Sequence, residues 1–313
     1  MSAPTSLRLG TRRSMLAMTQ SRAVADTLTA RTGVPVELVE ITTYGDTSAA
    51  ALTQIGGTGV FVTALREALL RGEVDLAVHS LKDLPTADPV GLSVVAVPPR
   101  EDPRDVLVAR DGLTLGELPP GSTVGTGSPR RAAQLRVLGL DLDVRAIRGN
   151  VDTRLRMVTD GALDAVVLAR AGLARLGRLD AVSEVIDPLQ MLPAPGQGAL
   201  AVEARDGAAD ADVRELLGVL DDPTTRAAVT AERTLLATLE AGCAAPVGAY
   251  AEVAEGDEGP EIYLRAVVAS VDGTASVRLS KTGPFQDAAR VGRDLAGELL
   301  AEGVAELMGE RVQ

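Results

Sequence analysis

Residues 121–156 read GSTVGTGSPRRAAQLRVLGLDLDVRAIRGNVDTRLR, from Gly121 to Arg156. The pattern is a strand at Ser122–Gly125, a loop at Thr126-Gly127-Ser128, and a helix opened by Pro129 after a serine N-cap. A second strand at Val144–Arg148 ends in Gly149-Asn150, and another helix begins near Asp152. Strands alternating with helices in this way specify an α/β domain with a mainly parallel sheet. The stretch is also a basic island. Seven arginines (Arg130, Arg131, Arg136, Arg145, Arg148, Arg154, Arg156) face three aspartates, so it carries +4 in a chain of net charge −12, leaving −16 elsewhere. Two arginine groups fall at loop-to-helix junctions, where unpaired backbone N–H groups and the helix dipole favour an anion. A ligand bearing several carboxylates or phosphates is expected.

Working outward, the chain repeats itself. Gly72-Glu73-Val74-Asp75-Leu76-Ala77-Val78 matches Gly161-Ala162-Leu163-Asp164-Ala165-Val166-Val167 at a constant separation of 89 residues. Leu9-Gly10-Thr11-Arg12-Arg13 likewise resembles Val124-Gly125-Thr126 followed by Arg130-Arg131. The first copy predicts a strand at Leu7–Gly10, a helix from about Met15 to Thr29, and a buried strand at Val36–Thr42. A helix from Val60 to Leu70, with Arg66 and Glu67 facing out, is closed by Gly72. A strand at Asp75–His79 then runs into the loop Ser80-Leu81-Lys82-Asp83-Leu84-Pro85.

Pro98–Arg104 and Leu192–Gly198 read as two connections between the copies. The expected domains are residues 1–98, with 199–217 returning, for a first α/β lobe, and 104–193 for a second. A C-terminal α+β domain occupies 222–313: a helix over about Thr224–Thr238, strands at Val247–Val253, Ile262–Ser270 and Ala275–Thr282, and a helix over Phe285–Leu307. In open α/β sheets ligands bind beyond the carboxyl ends of the strands. Arg12, Lys82, Asp83, Arg130, Arg131, Arg148 and Arg154 lie in such loops and are expected to converge on a cleft.

Composition narrows the classes. The 313 residues are 46% hydrophobic but only 2% aromatic, so the cores must be built from Leu, Val and Ala. An acidic chain without a basic tail is a poor nucleic-acid partner. No apolar run reaches the length of a membrane span, and MSAPTSLRLGTRRS has no signal-like apolar region, so a cytoplasmic location is expected. One cysteine excludes an internal disulfide framework, and with a single histidine in the chain a structural zinc site is not expected.

Single residues read two ways. Arg130-Arg131 alone is a solvated helix start, but cations at equivalent strand ends of both copies favour a ligand site. Asp83 beside Lys82 is either a surface pair or, among arginines, the one anion available for acid–base work or for stabilising a cation. His79 reads as a hydrogen-bonded structural group. Cys243 is either an inert small hydrophobe or, in its loop after Gly242, a reactive or modified thiol. The Gly56–Gly59 loop lacks the Walker lysine and the Rossmann spacing.

Assembled, these residues resemble the porphobilinogen deaminase (hydroxymethylbilane synthase) family nearly end to end. The phrases are Gly10-Thr11-Arg12-Arg13-Ser14, Val78-His79-Ser80-Leu81-Lys82-Asp83-Leu84-Pro85, Arg100-Glu101-Asp102-Pro103-Arg104-Asp105 and Ser128-Pro129-Arg130-Arg131. They continue with Ile147-Arg148-Gly149-Asn150-Val151-Asp152-Thr153-Arg154, Leu192-Pro193-Ala194-Pro195-Gly196-Gln197-Gly198-Ala199 and Glu240-Ala241-Gly242-Cys243.

The resemblance implies two lobes like those of type II periplasmic binding proteins plus a third domain. It implies a monomeric transferase of tetrapyrrole biosynthesis that condenses four porphobilinogens head to tail and releases ammonia. It further implies a dipyrromethane cofactor on a thioether to Cys243. Lys82, Asp83, Thr126, Ser128, Arg130, Arg131 and Arg154 would bind that cofactor; Arg12, Ser14, Gln20, Arg148, Arg154 and Arg175 would bind substrate or growing chain; and Asp83 would be catalytic. Phe61 would stack on the cofactor or anchor the core. Thr58, Tyr44, Met15 and Gly127 stand where many members carry Lys, Arg, Pro and Ser. The rival reading is a non-catalytic anion receptor on the same two-lobed scaffold, which leaves the third domain and its cysteine without a role.

Overall fold

A computed structural model describes residues 4–41, 59–87, 89–241, 245–256 and 259–308. The chain divides into two compact units, Met1–Glu101 with Ala199–Arg226, and Asp102–Gly198 with Ala227–Gln313.

In the first unit β1 (Leu7–Thr11) leads into α1 (Met15–Thr32) and β2 (Val36–Glu40). Ser14 caps α1 by accepting from the Ala17 N–H, and Gly33 ends it in the left-handed conformation, donating to Thr29 O. α2 (Gly59–Leu70) precedes β3 (Leu76–Ser80), and β4 (Leu92–Ala96) follows. The sheet is completed after a long excursion by β10 (Leu200–Arg205), with α6 (Ala211–Gly218) behind it. Its order is β2-β1-β3-β10-β4, with β1 parallel to both neighbours and β10 antiparallel to β3 and β4. Leu7, Leu9, Val24, Leu28, Val78, Val202 and Leu217 form the core on one face. Leu65, Leu69, Val74, Ala77 and Leu92 form it on the other. Covering both faces is why β3 opens on three consecutive buried apolar residues, Leu76, Ala77 and Val78, rather than alternating.

The second unit repeats the plan. Its strands are β5 (Asp105–Ala109), β6 (Thr123–Thr126), β7 (Asp143–Ala146), β8 (Ala165–Ala169) and β9 (Glu184–Val185). The helices are α3 (Pro129–Val137), α4 (Val151–Thr159) and α5 (Arg170–Arg175). The order β7-β6-β8-β5-β9 places β5 where β10 sits in the first sheet, again antiparallel. The repeat extends to atoms. Asp75 Oδ2 accepts from Arg8 N while Asp75 N donates to Arg8 O; Asp164 Oδ2 accepts from Thr123 N while Asp164 N donates to Thr123 O. A Cβ on Gly10 would lie 3.1 Å from Val74, and one on Gly125 would lie 2.6 Å from Leu163, so both first strands pass too close to a partner for a side chain.

This unit also holds a meander, β11 (Val247–Gly256), β12 (Gly259–Ala269) and β13 (Ser276–Pro284), with α7 (Pro223–Thr238), α8 (Ala288–Ala301) and α9 (Val304–Leu307). Its core joins Ala231, Leu235, Val247, Leu264, Val291, Leu295 and Leu299. The 192–193 segment bridges the two cores: Ala249 N donates to Pro193 O, and a Cβ on Gly248 would lie 2.8 Å from Leu192 O.

Four expectations need correction. Arg66 does not face out; its guanidinium grips Glu203 at 2.7 Å with a side chain only 15% exposed, because β10 brings a buried acid under α2 from 137 residues away. β2 is a half-buried edge strand rather than a buried one. The strand expected at Val144–Arg148 ends at Ala146 and leaves Arg148 in an exposed loop. The last helix is interrupted: Phe285–Asp287 is a 3₁₀ turn, and Gly303 at φ 78° separates α8 from α9.

Candidate functional site

In the first unit, β3 ends in the 3₁₀ turn Leu81–Asp83. Leu81 N donates to Ala199 O, Leu84 N donates to Leu81 O, and both leucines are buried. Two apolar anchors thus hold Lys82 and Asp83, each half-buried, on a short rigid turn at a carboxyl strand end. Gln20, buried in α1, donates through Nε2 to Ser80 Oγ at 3.1 Å and so ties the helix to that strand end. Arg12 is half-buried just beyond β1, and Ser14 serves as the α1 cap.

His79 lies behind this turn, with Nε2 3.2 Å from Glu203 Oε2 but off the hydrogen-bonding line. Burial pushes the Glu203 carboxyl up, yet His79 and Arg66 outweigh it and hold the group below its ordinary range.

In the second unit the site is built around the start of α3. Ser128 caps this helix at the Arg131 N–H, Pro129 takes its first position, and buried Thr126 accepts from Ser128 N through Oγ1. Arg130 and Arg131 are not on a solvated surface; they are 4% and 5% exposed and share one carboxylate, that of fully buried Asp105. Asp105 Oδ2 accepts from Arg130 at 2.8 Å, and Oδ1 accepts from Arg131 Nε at 3.1 Å and from its terminal nitrogen at 2.8 Å. Arg130 also donates to Leu192 O, and Arg131 to Val167 O. Burial raises the Asp105 pKa, but Arg130 and Arg131 dominate and hold it at about 2. The Arg130 guanidinium is lowered, first by burial.

Arg154, half-buried on α4, donates through Nε to Gly149 O and meets no carboxylate among the described residues. Burial and then repulsion from Arg131 lower its pKa, so this cation favours an added anion. Gly127 matters here: a Cβ would lie 2.7 Å from Ile147 O and 3.5 Å from the Arg154 guanidinium. Arg175, half-buried at the end of α5, donates to Gly198 O at 2.6 Å.

The structure therefore groups Thr126, Ser128, Arg130, Arg131 and Arg154 in one unit, and Gln20, Lys82 and Asp83 in the other. Cys243, Gly242, Tyr44 and Thr58 lie outside the described residues, and so does the Phe61 side chain. Sequence reasoning missed Asp105 and Gln197. The available signal was an acid opening the apolar strand DVLVA inside the REDPRD phrase. Among the described residues no cluster of His, Cys, Asp and Glu could hold a metal, and no helix is long and apolar enough to cross a membrane.

Duplicated α/β sheets carry cations at their carboxyl strand ends, the positions where open α/β sheets bind ligands. Comparison with known proteins narrows the class. Residues 7–214 match the family model "Porphobilinogen deaminase, dipyromethane cofactor binding domain", and residues 226–301 match "Porphobilinogen deaminase, C-terminal domain". Porphobilinogen deaminase 1 of Streptomyces coelicolor is 61% identical over 98% of both chains. Porphobilinogen deaminase of Mycobacterium avium is 59% identical over 96% of both. A periplasmic substrate-binding protein from Coxiella burnetii overlays on 70% of this chain and 94% of its own, with a TM-score of 0.45 and 14% identity. The chain belongs to the porphobilinogen deaminase family.

The residues present fit a dipyrromethane, whose pyrroles bear acetate and propionate groups. Arg154 is a half-buried cation with no carboxylate partner among the described residues, and Thr126 and Ser128, which flank the Gly127 beside its guanidinium, carry hydroxyls suited to carboxylate oxygens.

Proposed function

We propose that this chain is a transferase of tetrapyrrole biosynthesis that joins four porphobilinogens head to tail into hydroxymethylbilane. It acts as a monomer in the cytoplasm, without nucleic acid or membrane. At each step a carbon–carbon bond forms between the aminomethyl carbon of one porphobilinogen and the free pyrrole α-carbon of the chain end. Ammonia leaves, and the α-carbon loses its proton; after the fourth addition water releases the linear tetrapyrrole and supplies the oxygen of its terminal hydroxymethyl group. The carrying observation is the family match over 7–214 and 226–301, joined to an arginine cluster in which Arg154 has no described acid partner.

Bound through a thioether to Cys243, a dipyrromethane would supply the primer from which the chain grows. Lys82, Thr126, Ser128, Arg130, Arg131 and Arg154 neutralise and hydrogen-bond its carboxylates. Arg12, Ser14, Gln20, Arg148, Arg154 and Arg175 do the same for the incoming pyrrole and the growing chain. Each addition brings two more carboxylates, so a set of cations larger than one pyrrole needs is what repeated condensation requires.

Asp83 is the catalytic group. Loss of ammonia leaves the substrate cationic, and a carboxylate beside its pyrrole N–H stabilises that charge and can take the α-carbon proton. Buried Leu81 and Leu84 anchor the short turn that carries Asp83.

The test is purified chain with porphobilinogen. Substrate consumption, ammonia release and an intact mass raised by two pyrrole units on Cys243 are expected. An active protein with an unmodified thiol would sink the thioether assignment. Light scattering on the same sample checks the monomer.

A further inference from the structure

Asp105 is a poor match for a purely structural role. In the first unit the buried acid Glu203 has a single guanidinium partner, Arg66, with His79 Nε2 3.2 Å away. Here one carboxylate faces two buried guanidiniums, with Arg154 as a third cation whose charge Arg131 already disfavours. Arg130 Nε is buried and has no partner. The cluster carries more cation than its own acid can neutralise, and a second anion completes it.

The origin of the carboxylate is fixed. Asp105 opens β5, paired with Ala169 of β8, and its carbonyl accepts from Ile186 N at 2.9 Å. Gln197 Nε2 bridges Asp105 Oδ1 and Pro103 O at 2.8 Å and 2.6 Å, which locks the side-chain direction.

We propose that Asp105 is the positioning residue for Arg130 and Arg131: one oxygen on each guanidinium holds both in a single geometry, with net positive charge left for the carboxylates of the bound pyrroles. This rests on reading those two arginines as carboxylate ligands. Asparagine cannot replace it, because one of its two ends would point N–H donors at a guanidinium that has only donors of its own.

The experiment follows loading rather than turnover. Apo-chain made without substrate is mixed with porphobilinogen well below its unfolding temperature, and intact mass records the rate at which two pyrrole units are gained. Asp105→Asn is expected to keep its circular dichroism but to load more slowly by roughly tenfold or more, the scale seen when outer partners of a ligand set are removed. Glu203→Gln, an equally buried acid with an arginine partner, is the control and is expected to load at the parent rate despite a lowered unfolding temperature. Equal slowing in both variants would make the effect one of stability and overturn the proposal. So would parent-rate loading in Asp105→Asn when Arg131→Leu fails to load. Parent-rate loading in Arg131→Leu instead removes the arginine reading, and this proposal with it. If Asp105→Asn does not fold, Asp105→Glu keeps the charge but moves it. That variant is expected to fold and load slowly, and parent-rate loading would again overturn the assignment.

Discussion

Asp83 and Asp105 sit in different settings, and the proposed function gives them different duties. Asp83 is half-buried on a turn held by its neighbours, whereas Asp105 is fully buried and committed to two guanidiniums. Asp83→Asn is expected to keep its fold and to retain the primer once loaded, and to lower kcat by about 100-fold or more, the scale of losing one preorganised electrostatic contact. Single-turnover rates on loaded protein check this, and a near-parent rate would remove Asp83 from the chemistry. Asp105 makes a different prediction, in acid. Its folded-state carboxyl lies at about 2 against an ordinary 3.8, so the stabilisation it gives is complete above about pH 5 and is lost progressively as pH falls through 3.8 to below 2. The loss amounts to about 2 kcal/mol. Urea midpoints between pH 6 and pH 2.5 should fall less steeply in Asp105→Asn than in the parent; parallel slopes would contradict the shift. The sequence displayed the arginines and Asp83 plainly. It could not display that Arg130 and Arg131 are interior, since their counter-ion lies about 25 residues upstream.

At the scale of elements, helix starts and strand cores were legible because their causes are local. Ser14 and Ser128 cap their helices as their sequence contexts specify, and LAVHS and AVVLA are central strands buried on both faces. Edges and faces were not. β2 and β7 lie at the ends of their sheets, a rank set by pairing order and not by composition. Arg66 looked like a solvent-facing helix residue until β10 arrived beneath it. The twin glycines give an element-level prediction. Gly125→Ala would place a methyl 2.6 Å from Leu163 and 2.9 Å from Ile147, and it is expected to destabilise the second unit by about 1–3 kcal/mol. Calorimetry on that variant checks it; an unchanged transition would mean the strand shifts freely.

For the molecule as a whole, buried polar side chains fasten distant segments. Glu232 of α7, fully buried, accepts from Gly196 N at 2.6 Å and from Ala251 N at 2.8 Å, joining the 192–198 connection to β11. Glu232→Leu leaves two buried N–H groups without that acceptor and is expected to cost about 2–6 kcal/mol. Hydrogen exchange at Gly196 and Ala251 should rise in that variant, and unchanged protection there would refute the fastening role.

The sequence by itself determined the α/β duplication, the caps, the C-terminal meander, the excess of arginine at strand ends and the family. Each of these is written in local pattern or in the order of short phrases. Only the tertiary structure decided that β5 and β10 enter their sheets antiparallel, that Arg66 is interior, and that Asp105 and Gln197 organise the arginine pair. The reason is physical. A charge reads as exposed until its counter-charge is found, and here the counter-charges come from strands inserted across long sequence separations.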